Sequence, residues 1–200
     1  DNYQFSIEAS QLYLYPMART YSEMIALGTA IPAFSLPDTV SEKMISIDTI
    51  KGEYGTLILF ICNHCPFVVH VNDELVKLAQ DYTIKGIGFL AISSNDVVKH
   101  PDDGPDKMKA TAENLNYPFP YCYDETQDVA KAFGAACTPD FFIYDANNLL
   151  VYRGQLDDSR PGNGIPVTGT DIRKALDNLI NGQPVSAAQR PSIGCNIKWK

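Results

Sequence analysis

The chain has no apolar run approaching the roughly 20 residues that cross a bilayer, and its tyrosine-rich opening from Tyr3 to Tyr15 is interrupted by Glu8, Ser10 and Gln11. A soluble protein with no membrane partner is therefore expected. Basic charge is also scarce: 16 Lys and Arg stand against 24 Asp and Glu, and no basic cluster interleaves with aromatics to track phosphates. Nucleic acid is not an expected partner. Repeats, low-complexity tracts and charged linkers are missing, as are nucleotide and flavin signatures, so no cofactor is expected. The sequence holds no second CxxC and no paired histidines, which leaves a closed four-ligand zinc site short of donors, and no metal is expected.

What is present is enough apolar material for a continuous core, since 45% of the 200 residues are hydrophobic, and this excludes a disordered or fibrous chain. The cysteines number five, Cys62, Cys65, Cys122, Cys137 and Cys195. An odd, scattered set in a chain this long does not read as a disulfide framework; it favours a reducing compartment, and a cytoplasmic location is expected. Met17 opens the stretch MARTYSEM, so residues 1–16 are expected to be an N-terminal extension and residues 17–200 the folded domain.

The strongest strand signal is Thr56 to Ile61, TLILFI, a continuous apolar run suited to a strand covered on both faces. Directly after it, Phe67, Val68, Val71, Leu75, Leu78, Ala79 and Tyr82 recur at helical spacing, with Pro66 at a tolerated first-turn position. A second buried strand reads Ile87 to Ser93. It precedes a polar loop, SNDVVKHPDDGPDK, and a helix from about Asp106 to Asn116. A further helix is expected behind Asp124 as N-cap, running to Gly134. Phe141 to Tyr144 and Leu149 to Arg153 flank the turn DANN as an antiparallel hairpin. The last helix spans Asp171 to Ile180, with Thr170 as cap and Gly182 past its end. A β-α-β half followed by helix, hairpin and helix predicts an α/β sandwich with a mixed sheet.

The pattern Cys62-Asn63-His64-Cys65-Pro66-Phe67 sits on the strand-to-helix turn. A first helical turn has unpaired N–H groups and partial positive charge, which favour a thiolate at Cys65, and a protonated His64 adds to this. A sulfur ionised near neutral pH is a nucleophile toward a disulfide or a peroxide. The bland alternatives are inert packing, since free cysteine is commonly buried, and metal ligation by Cys62, His64 and Cys65. His70 and His100 read as surface residues, and Cys122, between Tyr121 and Tyr123, as ordinary packing. The resolving partner of Cys65 is open: Cys62 requires a sharply turned loop, Cys137 competes from Cys137-Thr138-Pro139, and Cys195 is the more remote choice.

With these residues in place, the chain resembles the thioredoxin-like superfamily, in particular its peroxiredoxin-like AhpC/TSA (redoxin) branch, over roughly Met17 to Trp199. LGTAIPAFSLPD, KGEYGTLILFICNHCPFV, AISSND, CTPDFFIYD, YRGQLDDSRPGN and PSIGCNIKW carry the resemblance. It implies a thioredoxin fold, a three-layer α/β/α sandwich around a mixed sheet, with Cys65 at the first cysteine position of the family's CxxC and Val68 where the second would stand. It also implies that Pro139 follows a cis peptide bond, that Thr138 lies beside the substrate backbone with Pro66 and Phe67 nearby, and that Cys137 approaches Cys65. A Cys65–Cys137 or Cys62–Cys65 redox pair follows as expectation. Against the peroxiredoxin pattern PxxxTxxC with a distant arginine, the chain places Ile58, Cys62 and Pro139 at the three helper positions. The resemblance thus implies a thiol-disulfide oxidoreductase acting on disulfide substrates, re-reduced by a thiol-protein electron donor, with a homodimer compatible. The alternatives are a thiol peroxidase, and a noncatalytic redox sensor or peptide-binding module that uses the loop Gln155 to Asn163. That loop otherwise reads as merely solvated.

Overall fold

The computed structural model describes residues 19–200, so the extension expected over residues 1–16 lies outside the described residues. The chain opens with β1 (Arg19–Tyr21), a short hairpin of β2 (Leu36–Pro37) and β3 (Met44–Ile45), and a single turn, α1 (Ile47–Ile50). Then come β4 (Gly55–Phe60), α2 (Pro66–Thr83), β5 (Ile87–Ser93), α3 (Pro105–Asn114) and β6 (Tyr121–Tyr123). The second half holds α4 (Asp128–Phe133), β7 (Cys137–Thr138), β8 (Asp140–Asp145), β9 (Leu150–Arg153), α5 (Thr170–Ile180) and β10 (Ile193–Asn196).

Five strands form the main sheet in the order β6-β5-β4-β8-β9, with β4, β5 and β6 parallel and β8 and β9 antiparallel. The apolar run of β4 lies at its centre, and all six of its residues are buried. Successive side chains of a strand point to opposite faces. Accordingly, Leu57, Leu59 and Ile61 pack with α2, α3 and α5, while Ile58 and Phe60 pack with α4 and α1. Helices on both faces of a mixed sheet give the expected three layers. Arg173 of α5 ties one helical layer together through the buried Glu74 of α2, at 2.7 Å.

The capping expectations need correction at two helices. α4 starts at Asp128, behind Gln127 in a left-handed conformation, rather than directly behind Asp124. Asp124 still serves the helix, because its carboxylate accepts from the Ala130 amide at 2.9 Å while Ser94 donates to it at 2.8 Å. In α5, Thr170 is the first helical residue and Gly169 is the cap. The first-turn amides of Asp171 and Ile172 donate to the Leu156 carbonyl at 3.1 and 3.4 Å, and the Asp157 carboxylate holds the residues just before the helix, accepting from the Thr168 and Gly169 amides at 2.7 Å each. A distant backbone carbonyl thus replaces, at α5, the local side-chain cap that the sequence pattern predicts.

A second sheet, β1-β10-β7, is not among the elements expected from the sequence. Its middle strand, β10, pairs antiparallel with both neighbours, with Cys195 opposite Thr138 and Asn196 opposite Cys137. This sheet carries the late segment of the chain back to the strand-to-helix turn.

The aromatic layer beneath the main sheet centres on Phe133, whose buried ring meets Phe60 at 5.5 Å and Phe142 and Tyr144 at 5.9 Å. Phe133→Ala is expected to lower the unfolding free energy by about 3–5 kcal/mol, read as a lower denaturant midpoint with unchanged slope.

Candidate active site

Cys65 is the N-cap of α2 and Pro66 its first residue, so the reactive turn is built by a buried strand ending where a proline-started helix begins. The Cys65 side chain makes no capping bond to the helix amides. Its sulfur instead lies 3.1 Å from the Thr138 carbonyl and 2.8 Å from the sulfur of Cys195. The expected stabilisation by helix amides is therefore replaced by thiol neighbours. The Cys65 pKa is drawn below its ordinary value first by the Cys195 thiol and next by the Cys62 thiol, against the opposing effect of burial. The same contacts push the Cys195 and Cys62 thiols upward, and burial adds to this.

The site is closed. Cys65 and Cys137 have no exposed surface, and Cys62 and Cys195 are also buried. All five cysteines are free thiols. Cys62 places its sulfur 3.5 Å from the Thr138 hydroxyl. Cys137 turns its sulfur toward the Pro139 carbonyl, at 3.6 Å, and burial raises its pKa. The geometry thus brings Cys195, the remote choice, onto Cys65, while Cys137 spends its polar contact on its own loop. The Thr138–Pro139 peptide is cis. Pro66 is exposed and Phe67 buried beside it. Cys122 is packed in the core as expected, its sulfur 3.8 Å from the Leu36 carbonyl.

His64 pairs its Nδ1 with Asp103 at 2.7 Å. The fully buried Asp103 also accepts from the Asn63 amide at 2.9 Å and from Asn95 at 2.8 Å, fastening the cysteine turn to the loop after β5. This hydrogen bond raises the His64 pKa. Burial pushes the Asp103 carboxyl up, but His64 and Asn95 together bring it below its ordinary value. Sequence reasoning missed Asp103, because PDDGPDK reads as a polar loop and nothing local distinguishes one aspartate in it. His100 is not a free surface residue, since its ring stacks on His64 at 5.5 Å. His70 is likewise half-buried, its Nε2 2.7 Å from the Ser159 hydroxyl.

Cys62, His64 and Asp103 bring one donor atom each to within 4.8 Å of one another. That is one fewer than a closed zinc site takes, and the His64 and Asp103 atoms are already bonded to each other. The two arginines that could stand in for a peroxiredoxin arginine are engaged elsewhere. Arg153 donates to Gln189 at 2.9 Å, and Arg160 donates to the carbonyls of Asp157 and Ser159 at 2.7 and 2.6 Å. The loop Gln155 to Asn163 is not simply solvated. Gln155, Leu156, Asp157 and Ser159 are buried, and its polar groups bond one another.

Residues 27–153 match the model of the AhpC/TSA family. The chain belongs to that family. A conserved uncharacterized protein from Geobacillus kaustophilus is similar to it at 57% identity and a TM-score of 0.91, over 92% of this chain and 97% of that one. A hypothetical protein from Sinorhizobium meliloti follows at 47% identity and a TM-score of 0.88, covering 90% and 98% of the two chains. The thioredoxin domain of a thiol-disulfide oxidoreductase from Bacteroides vulgatus aligns at 19% identity and a TM-score of 0.55, over 64% of this chain and 88% of that one. That likeness identifies the thioredoxin fold. No curated protein matches the chain. The family and its oxidoreductase-named neighbours support a redox function in general terms. No helix among the described residues is long and apolar enough to cross a membrane.

Asp103→Asn is expected to lower the His64 pKa toward the ordinary value of about 6.5, measured by NMR titration of the imidazole. Because the folded His64 value lies above the unfolded one, the pair's stabilisation is present below about pH 6.5 and is lost as pH rises through the folded value. At the acid end it is lost as pH falls through the depressed Asp103 value. The stability difference between wild type and variant should therefore be largest between those limits.

Proposed function

We propose that this protein is a thiol-disulfide oxidoreductase in which Cys65 is the nucleophile. The observation that carries this reading is the place of its sulfur, at the head of α2 and in contact with both the Thr138 carbonyl and a second thiol. The Cys65 thiolate attacks one sulfur of a substrate disulfide, a mixed disulfide forms, and the substrate's other sulfur leaves as a thiolate. A second thiol of the chain then displaces the remaining substrate sulfur. Thr138, Pro139, Pro66 and Phe67 form the surface against which the substrate lies. A thiol protein returns the chain to its reduced state.

Two features favour exchange over peroxide reduction. The threonine position of the peroxide-reducing pattern is Cys62, and the arginines named above are engaged elsewhere, Arg153 with Gln189 and Arg160 within its own loop. Without an aligned hydroxyl and guanidinium, an O–O bond lacks the donors that stabilise charge as it breaks.

Reduction of oxidised glutathione, followed with dithiothreitol as the regenerating thiol, is expected to fall to the buffer rate in Cys65→Ser and to persist in Cys122→Ser. Equal rates in wild type and Cys65→Ser would overturn the reading. The pH profile of Cys65 alkylation adds an independent check: its midpoint should lie below the ordinary thiol value of about 8.5, and a midpoint above it would contradict the assignment of nucleophile.

A further inference from the structure

A nucleophile with no exposed surface cannot meet a substrate in the closed arrangement, and the element that covers it is identifiable. β10 lies across the head of α2, pairing Cys195 with Thr138 and placing its sulfur 2.8 Å from that of Cys65. A disulfide needs about 2.05 Å between sulfurs, so bond formation asks for a small movement of two side chains. β10 also occupies the edge of β7 that an extended peptide would need for main-chain pairing. A thiol-bearing strand of the chain thus stands where a cysteine-bearing strand of a substrate would have to lie.

The contact is close at one residue. A Cβ built on Gly194 would overlap the Thr138 carbonyl and come within 3.1 Å of the Pro139 nitrogen. These are backbone atoms of the turn and have little room to yield. Hydrogen bonds anchor the strand's ends. Before it, the Ser192 hydroxyl donates to the Pro139 carbonyl at 2.7 Å, and the Ser192 amide donates to the Ser22 hydroxyl at 2.8 Å. After it, the Ile197 amide donates to the Ala136 carbonyl at 3.1 Å. Pairing to β7 involves two residues and to β1 three. Strands this short are of the kind that open locally without unfolding the whole.

We infer that β10 is a displaceable strand that carries the resolving thiol: it leaves β7 to admit a substrate disulfide to Cys65, and on returning delivers Cys195 to the mixed disulfide. This rests on the thiol-disulfide reading above and adds the partner and the gate. In the first step the Cys65 thiolate bonds one substrate sulfur, and the other substrate sulfur leaves with the electron pair of the broken S–S bond. In the second, the Cys195 sulfur, losing its proton to solvent, attacks the Cys65 sulfur and expels the remaining substrate thiolate. The substrate gains two electrons, and the chain loses two as the Cys65–Cys195 bond forms. That bond ties the strand down over the turn, so the oxidised form is the closed form. Reduction of the bond by a thiol donor frees the strand for the next cycle.

Two experiments on the full chain test this. Protein oxidised with glutathione disulfide and quenched with N-ethylmaleimide is expected to give a linked Cys65–Cys195 peptide pair, and Cys195→Ser to accumulate glutathione on Cys65. Linkage of Cys65 to Cys62 or Cys137 instead would leave thiol exchange intact and overturn this inference. A Cys65 that bonds no sulfur under these conditions takes down both. For the gate, iodoacetamide labelling of Cys65 in the reduced protein is expected to accelerate roughly two- to tenfold in Ser192→Ala, as one anchoring hydrogen bond is lost. Gly194→Ala should give a larger acceleration, and if that variant does not fold, Ser192→Ala alone decides. Labelling at the wild-type rate in the folded variants would refute the displaceable strand.

Discussion

Two residue pairs, Cys195 with Thr138 and Asn196 with Cys137, hold the site in its closed form. They bring a segment from the far end of the described chain onto a turn laid down 130 residues earlier. Without them Cys65 would lose its Cys195 neighbour and the strand that lies across the head of α2. With them, sulfurs crowd together out of water, and interactions between them are strengthened because water no longer competes. The opposed pKa shifts follow from that crowding: the neighbours that draw Cys65 below its ordinary value are themselves pushed above theirs.

The rest of the architecture keeps this small assembly in register. β4 is buried on both faces and cannot slide without exposing one set of its alternating side chains. It therefore delivers Cys62 and Cys65 to a fixed height above the sheet. β8 pairs with β4 residue for residue from Asp140 onward, so the preceding Thr138–Pro139 step is held against the same turn. Asp103 fastens the turn from the other side through Asn63 and His64. Three separate parts of the chain thus meet at one cysteine. The interior of the sheet sets the position of two of them.

Legibility in the sequence tracked how local the determining forces were. β5 is legible to the residue, and so is the buried face of α2 except for Glu74, because their signals are apolar patterns repeated within a single element. The helix starts are displaced where a group several residues away, the Asp124 carboxylate or the Leu156 carbonyl, does the work of a local cap. Cys65 was visible because strand, cysteine and proline are contiguous. Asp103 was not, since its meaning lies in partners at positions 63, 64 and 95. The approach of Cys195 was hidden for the same reason. PSIGCNIKW does alternate at strand period through Ile193, Cys195, Ile197 and Trp199, but which strand it pairs with is decided by the tertiary path of the chain. The loop from Gln155 to Asn163 illustrates the converse error, for its polar composition suits water but is spent on internal bonds.

The long separation between the turn and its cover also sets an order of events in biosynthesis. On the ribosome, the strand, the cysteine pair and α2 are complete well before Ile193 has been added, and non-local pairings form only when both partners exist. Throughout that interval the nascent polypeptide presents Cys65 uncovered, with the edge of β7 open once residues 137 and 138 are in place. The covering of this thiol is therefore a late event of synthesis, completed when a four-residue strand arrives to close over it.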